Sequence, residues 1–305
     1  MFAFILRRFL SSLVVLGFVV SLTFLLSISQ KGGPFEREKL TAAAKAEREK
    51  NAELDGPKWW QLARYVKRLL KGDLNVSLRY QNLSVAEVLG QKLPNSLILG
   101  GSAFVIAAVG GVSMGFLAAM RKDSALDVTS MFLALAAISI PSFITGPLFV
   151  ALFGLKLGWL PIGGFGTIAQ LIMPSICLAL PFLAYVARLT RNSLLDVKSQ
   201  NYMRTAKAKG LDDATALARH GMKVAILPVV TYLGPMAAYV LTGSFVVESV
   251  FNISGLGMVF VNAIQNTDPF LLTGAVVVYS ALLVFFNFVV DVMYTFLDKR
   301  IQLHA

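Results

Sequence analysis

Six stretches of this chain contain no Asp, Glu, Lys, Arg or His: residues 9–28, 96–120, 128–153, 168–187, 225–247 and 270–290. They are 20, 25, 26, 20, 23 and 21 residues long. At about 1.5 Å rise per residue, each is long enough to cross a hydrocarbon core of about 30 Å as a helix. Lipid offers the backbone no hydrogen-bond partners, so runs of this length point to helices that satisfy themselves internally. The expected fold is an all-α polytopic membrane protein with six transmembrane helices.

Composition agrees with that reading, with 56% of the 305 residues apolar and 15% charged, against roughly 45–50% and 25% in soluble domains. Disorder and nucleic-acid binding are not expected. The formal charge of +11 comes from 28 Lys and Arg against 17 Asp and Glu, and in a membrane chain its placement sets topology. Arg7 and Arg8 precede the first stretch, Arg121 and Lys122 follow the second, and Lys299 and Arg300 follow the last. Eight basic residues lie from Arg188 to Lys223, while the two short opposite loops share Lys156 alone. Another 13 sit in residues 29–95, a segment long enough to escape the positive-inside rule. Both termini and residues 188–224 are therefore expected in the cytoplasm.

The first stretch follows two arginines and ends in Ser27-Ile28-Ser29, the small-residue pattern of a signal-peptide cleavage site, but its 20 uncharged residues exceed the usual h-region of about 7–15. It is read as an anchor. The resulting organisation is a cytoplasmic N-terminus and first span (1–28), an external segment (29–95), a membrane core (96–297) with its cytoplasmic segment at 188–224, and a cytoplasmic tail (298–305).

The external segment reads as a small appended domain. Thr41 to Leu54 is helix-forming, Gly56-Pro57 breaks it, and Lys58 to Leu70 forms a second, amphipathic helix. Trp59, Leu62, Val66, Leu69 and Leu70 make one face, with Arg64, Lys67, Arg68 and Lys71 elsewhere. That face either lies on a membrane surface or partner, or packs on the rest of the segment. Asn75, Asn82 and Asn252 begin N-x-Ser triplets that carry no weight without a eukaryotic secretory context.

Catalytic groups are scarce. The two histidines, His220 and His304, lie outside the apolar stretches, and H-E-x-x-H, G-x-S-x-G and G-x-x-x-x-G-K-[ST] patterns are all missing. The chain is not expected to be an enzyme or to hydrolyse ATP itself. The single cysteine, Cys177, sits in an apolar run as a buried hydrophobe, which excludes an intrachain disulfide and a Cys-based zinc site, and no metal is expected.

Few ionisable residues fall at membrane depth. Glu248 and Asp291 stand at window edges, with Arg188 and Arg191 at the cytoplasmic end of the fourth. Asp291 is read as an anchor for its helix end. Glu248, ahead of Gly255-Leu256-Gly257, is read either as an external gate or binding-protein contact or as a solvated helix end. Pro141, Pro147, Pro174, Pro181, Pro228 and Pro235 interrupt spans three to five, either freeing carbonyls toward a pathway or marking irregular packing. Gly111-Val-Ser-Met-Gly115 is a small-residue motif suited to close helix approach.

The most informative stretch runs from Asn201 to Thr231. Tyr202 to Lys209 has high helix propensity, Gly210 can end that helix, and Asp212 or Asp213 can start the next. Two short helices about a glycine make a rigid knob; the other reading is a basic amphipathic helix lying on anionic lipid.

Here the chain resembles the permease subunits of ABC importers, marked by E-A-A, three residues and G. Thr205, Ala206 and Gly210 fall on that pattern, and Arg204 replaces the glutamate as in the peptide-importing branch, where R-T-A-x-A-K-G-L is usual. Lys223 departs from the wider pattern, which has proline there. Further likeness covers FILRR, Gly33-Pro34-Phe35, Lys71-Gly72-Asp73-Leu74 before Ser77, Ser139 to Phe143 (SIPSF), Trp159-Leu160-Pro161, ARLTRNSLLDV from Ala187, and Gly243 to Gly257. In the last of these Ser254 replaces a common proline. All of it is similar to the B-type permease of oligopeptide and dipeptide importers.

The resemblance implies a type I ABC importer architecture in a bacterial inner membrane. It also implies a second homologous permease, two ATP-binding subunits holding ATP and magnesium, an external binding protein, membrane lipid as surroundings and a peptide as cargo, with no cofactor in this chain. Tyr202, Arg204, Thr205, Ala206, Lys207, Ala208, Lys209, Gly210, Leu211 and Asp212 would couple to the ATPase, the cations among them meeting its acidic or polar groups. Glu248, Gly255 and Gly257 form the external set. Dipeptides, peptide-like antibiotics and metal chelates are alternative cargoes, and a motor-free secondary transporter or channel is the alternative mechanism.

Overall fold

The structure, a computed structural model, describes residues 2–30, 35, 41–80, 83–242 and 244–297, with side chains described between residues 6 and 289. Gly33, Pro34, Asn82, Gly243, Lys299, Arg300 and His304, and the side chain of Asp291, lie outside that set. The described residues are helical, with one isolated antiparallel bridge between Val76 and Ser84.

Along the chain, α1 is Phe2–Ser27, α2 Ala42–Asn51 and α3 Lys58–Leu69. Next come α4 Val85–Val105 and α5 Gly111–Met120, joined through a π-helical turn at Ile106–Gly110, then α6 Ala125–Ser139 and α7 Ser142–Phe149. They are followed by α8 Ile168–Lys198, α9 Asn201–Ala208, α10 Asp213–Ala216, α11 Met222–Ala225 and α12 Leu227–Leu241. The last are α13 Phe245–Val250, α14 Leu256–Gln265 and α15 Pro269–Leu297.

Among the described residues, four helices are long and apolar enough to cross a membrane: Leu6–Ser27, Val85–Met120, Ile168–Lys198 and Pro269–Val289. The other two apolar stretches are bent pairs, and the count reaches six when each pair is one span. Ala125–Ser139 and Ser142–Lys156 meet at 107°, and Asp213–Ala225 meets Leu227–Leu241 at 55°. The third stretch is thus not the straight helix its length suggests. Proline disfavours helical backbone at the residue before it, and Ile140 is extended (φ −90, ψ 117), so α6 stops at Ser139 and Pro141 opens α7. Pro174 and Pro181, by contrast, lie inside the unbroken α8, and Pro228 sits at the start of α12, where its missing N–H costs nothing.

Two compact units divide the chain. One comprises residues 1–96 and 254–284, the other 97–253 and 285–305. Val85 begins α4 within residues 29–95: Ser84 accepts from the Glu87 N–H while Glu87 accepts from the Ser84 N–H at 2.8 Å, a reciprocal cap.

In the first unit, Val20, Phe24, Tyr65, Val85, Leu89, Leu256 and Phe270 belong to one buried cluster. Phe24 stacks on Tyr65 with ring centroids 4.7 Å apart. The amphipathic face of α3 is split: Tyr65 is buried and Leu62 and Leu69 pack into the cluster, whereas Trp59 and Leu70 are exposed. Arg64 pairs with Asp55, and Arg68 with Glu53 and Asp73, so two of the four basic residues close the α2–α3 turn. Hydrogen bonds that Arg68 donates to the Glu53 carboxylate raise the pKa of its guanidinium, and burial raises that of the Tyr65 phenol.

In the second unit α5 lies directly on α8. A Cβ on Gly111 would stand 2.7 Å from Val186 Cβ, and one on Gly115 would overlap the Ala187 carbonyl oxygen. The small-residue motif therefore sets the closest approach of two helices. Ser102 and Ser175 hydroxyls, 2.6 Å apart, join α4 to α8. Cys177 is buried in the core of this unit, 3.3 Å from Thr145 Oγ1.

Candidate functional site

The segment after α8 folds into the compact knob its sequence suggests. Gln200 is extended and starts α9, which buries Met203 and Ala206 and exposes Tyr202, Arg204, Thr205, Ala208 and Lys209. At its end Gly210 is left-handed (φ +91). The Gly210 N–H donates to Lys207 O at 2.9 Å and the Leu211 N–H to Ala206 O at 3.3 Å. This is a Schellman cap, and Leu211 folds back on the apolar side of the helix it ends.

Asp212 then caps α10, accepting from the Thr215 N–H at 3.1 Å. Hydrogen bonds from Thr215 hold its carboxyl below the usual carboxylate range. Asp213 receives Lys207 at 2.6 Å and Lys198 at 3.1 Å, fastening α9 and α10 to the end of α8. The chain continues from α10 through a π turn at Leu217–Gly221 into α11, where Lys223 is accommodated as an exposed helical residue. Beneath the knob, Ala119, Leu194, Val197, Met203, Ala206, Ala216, Leu217 and Ala225 form one buried cluster.

This geometry sorts the ten candidate coupling residues. Ala206 is buried and Leu211 half-buried, so they build the knob and do not present a surface. Lys207 is committed to Asp213, which leaves Arg204 of α9 and Lys209 at its C-cap as the outward cations. Gly210 has nothing within 4 Å of where a Cβ would stand, so a side chain is opposed there by backbone conformation and not by obstruction.

A second feature of this end of the molecule was not singled out from sequence. Asp127, 2% exposed, accepts both arms of Arg191, Nε and Nη2 each at 2.6 Å. It also accepts the Asp123 N–H at 3.0 Å, while Ser124 caps α6. Arg191 lies about two helical turns before the end of α8, so the fork pins the start of α6 to the helix that carries the knob. Ser124-x-x-Asp127 was the legible signal, a cap motif placed just ahead of an apolar run.

The proposed external residues are not assembled as an exposed set. Glu248 is 0% exposed in α13, with its backbone N–H on Ser244 O at 2.8 Å, so it is neither a solvated helix end nor a surface contact in this conformation. Gly255 is the extended residue that opens α14, and Gly257 is buried within that helix.

Comparison with known proteins decides the class. Residues 111–303 match the family described as the inner membrane component of binding-protein-dependent transport systems. The chain belongs to that family. It is 36% identical over 99% of its length to the oligopeptide transport system permease protein OppB of Haemophilus influenzae, covering 100% of that protein. Against the protein of the same name from Escherichia coli K12 the figures are 37%, 99% and 100%. Against the dipeptide transport system permease protein DppB of Bacillus subtilis they are 37%, 99% and 98%.

Among solved structures, a chain of the inward-facing MetNI methionine ABC transporter matches with a TM-score of 0.57 at 15% identity, covering 69% of this chain and 96% of that one. That likeness shows the fold, a type I ABC importer permease. Membership in a family of inner-membrane transport permeases favours the ABC permease over the motor-free carrier or channel, and the family is a transport family and not a catalytic one.

Proposed function

We propose that this permease forms, with a second homologous permease, the translocation pathway of an ATP-driven bacterial importer of peptides, oligopeptides before dipeptides. The observation that carries a peptide cargo is near-full-length identity of 36–37% to permeases of oligopeptide and dipeptide systems. Both termini and the α8–α12 connection face the cytoplasm in this reading, as the distribution of Lys and Arg suggests.

The α9 knob is the element that meets an ATP-binding subunit. Tyr202, Arg204, Thr205, Ala208 and Lys209 offer it an aromatic, small and cationic surface. Closure of the two ATPases on ATP and magnesium displaces the knob as one body, because its buried cluster and the Lys198–Asp213–Lys207 bridge tie it to α8. The Arg191–Asp127 fork passes that displacement to the start of α6, the first half of the broken third span. An external binding protein delivers the peptide to the opposite opening.

Purification of the tagged chain from native membranes in mild detergent tests this reading. A second permease and two ATP-binding subunits should accompany it. Repeated recovery of the chain alone, from membranes that still take up peptide, would overturn the assignment.

A further inference from the structure

Helix α3 carries two apolar faces, and only one of them is used inside its own unit. Leu62, Tyr65 and Leu69 are packed; Trp59, Ala63, Val66 and Leu70 recur at i, i+4, i+7 and i+11 and form a separate stripe. Trp59 is 61% and Leu70 83% exposed, and the adjoining Trp60, 53% exposed, stacks on Trp59 at 4.5 Å. Exposed Lys67 and Lys71 flank the stripe, whereas Arg64 and Arg68 are engaged with acidic neighbours on the other side.

The position of α3 along α1 identifies what covers that stripe. Lys58 Nζ donates to Ser29 Oγ at 3.0 Å, two residues past the end of the apolar span Leu6–Ser27. On α1 the row Phe18, Leu22, Leu26 is exposed right up to that end, as a lipid-facing surface should be. The Trp59–Trp60 pair therefore stands where the hydrocarbon of the bilayer gives way to headgroups, the depth at which tryptophan is enriched. A helix with an apolar stripe bordered by lysines is built to lie in that interface.

We propose that α3 is an interfacial membrane anchor: its Trp59–Leu70 stripe sits in the headgroup region of an anionic leaflet, with Lys67 and Lys71 toward lipid phosphates. The anchor holds the appended segment flat beside its own span, independently of what the permease carries.

Intrinsic fluorescence tests it directly. With Trp159→Phe, only Trp59 and Trp60 of the three tryptophans remain to report. The full chain is placed in phosphatidylcholine–phosphatidylglycerol vesicles whose lipids are brominated either near the headgroup or near the chain terminus. For a helix buried about 5–10 Å into the interface, headgroup-proximal bromine should quench at least about twofold more than terminal bromine, and aqueous acrylamide should quench weakly. Trp59→Phe with Trp60→Phe should abolish the signal, and Leu70→Glu should raise acrylamide quenching. Emission insensitive to both bromolipids and open to acrylamide would overturn the proposal. So would shielding that arises only when the external binding protein is added, which would assign the stripe to that partner.

Discussion

Ser77 Oγ donates to Asp268 Oδ2 at 2.6 Å, joining two buried residues 191 positions apart. The same carboxylate oxygen accepts the N–H groups of Leu78 (2.9 Å) and Arg79 (3.2 Å), and Oδ1 caps α15 through the Leu271 N–H at 3.0 Å. One aspartate thus starts the last long helix and fixes the turn that ends the appended segment. Asp268→Asn should fail here, because both oxygens accept and the amide would turn N–H toward a donor on one side. We expect a loss on the order of 3 kcal/mol, and about 1 kcal/mol for Ser77→Ala, read as lower melting temperatures of the detergent-solubilised chain. Wild-type melting of Asp268→Asn would refute this role.

The Asp127–Arg191 fork is buried on the aspartate side, with side-chain exposures of 2% and 19%. Arg191→Ala leaves an uncompensated buried carboxylate and should cost about 3–5 kcal/mol. Arg191→Lys should recover only part of that, since an ammonium cannot supply two parallel donors. The double change Asp127→Ala with Arg191→Ala should be less harmful than Arg191→Ala alone. Additive losses in a double-mutant cycle of thermal stability would show that the pair is not coupled.

Gly210 separates conformational from steric cost. With φ +91 and open space around it, Gly210→Ala should strain the cap by about 1–2 kcal/mol, while Gly210→Asn, which tolerates the left-handed region, should cost less. Gly210→Val should insert into the membrane normally yet lower ATP-driven peptide uptake. Uptake unchanged in Gly210→Val would remove the coupling role of the cap.

Two glycines on other helices make a matched pair. Gly115→Val forces a side chain against the Ala187 carbonyl and Thr190, whereas Gly17 has nothing within 4 Å of its Cβ position. The first substitution should reduce the folded, monodisperse fraction several-fold, with costs on the order of 3 kcal/mol for overpacking. Gly17→Ala should leave it unchanged. Equal recovery of both variants would show that α5 and α8 are not held at this separation.

Charge-free length and the Asn201–Thr231 pattern made the helical class and the knob readable, because both are local properties of the chain. Where the reading was incomplete, the cause was tertiary. Charge-free length could not reveal that Ile140, extended ahead of Pro141, turns the third stretch through 107°. Periodicity put Trp59, Leu62 and Leu70 on one face of α3, but it could not tell which half of a wide face meets Phe24 and Phe270. Asp127 and Asp268 escaped notice as ion and turn partners because their partners are distant in sequence. Each nonetheless carried a local helix-start signal, Ser124-x-x-Asp127 and Asp268-Pro269. Glu248 borders an apolar window, where an external gate, a binding-protein contact and a solvated helix end all fit the sequence, and only packing buries it completely.

In the proposed function this chain couples ATP hydrolysis in partner subunits to peptide import. Its most direct test is ATP hydrolysis by the complete importer in proteoliposomes, with and without a peptide-loaded binding protein, for wild type and for Arg204→Glu with Lys209→Glu. Hydrolysis and uptake should rise together on adding loaded binding protein, and both should be lost in the charge-reversed knob while the complex still inserts. Peptide uptake that persists without the ATP-binding subunits and collapses when the ion gradient is dissipated would contradict that coupling.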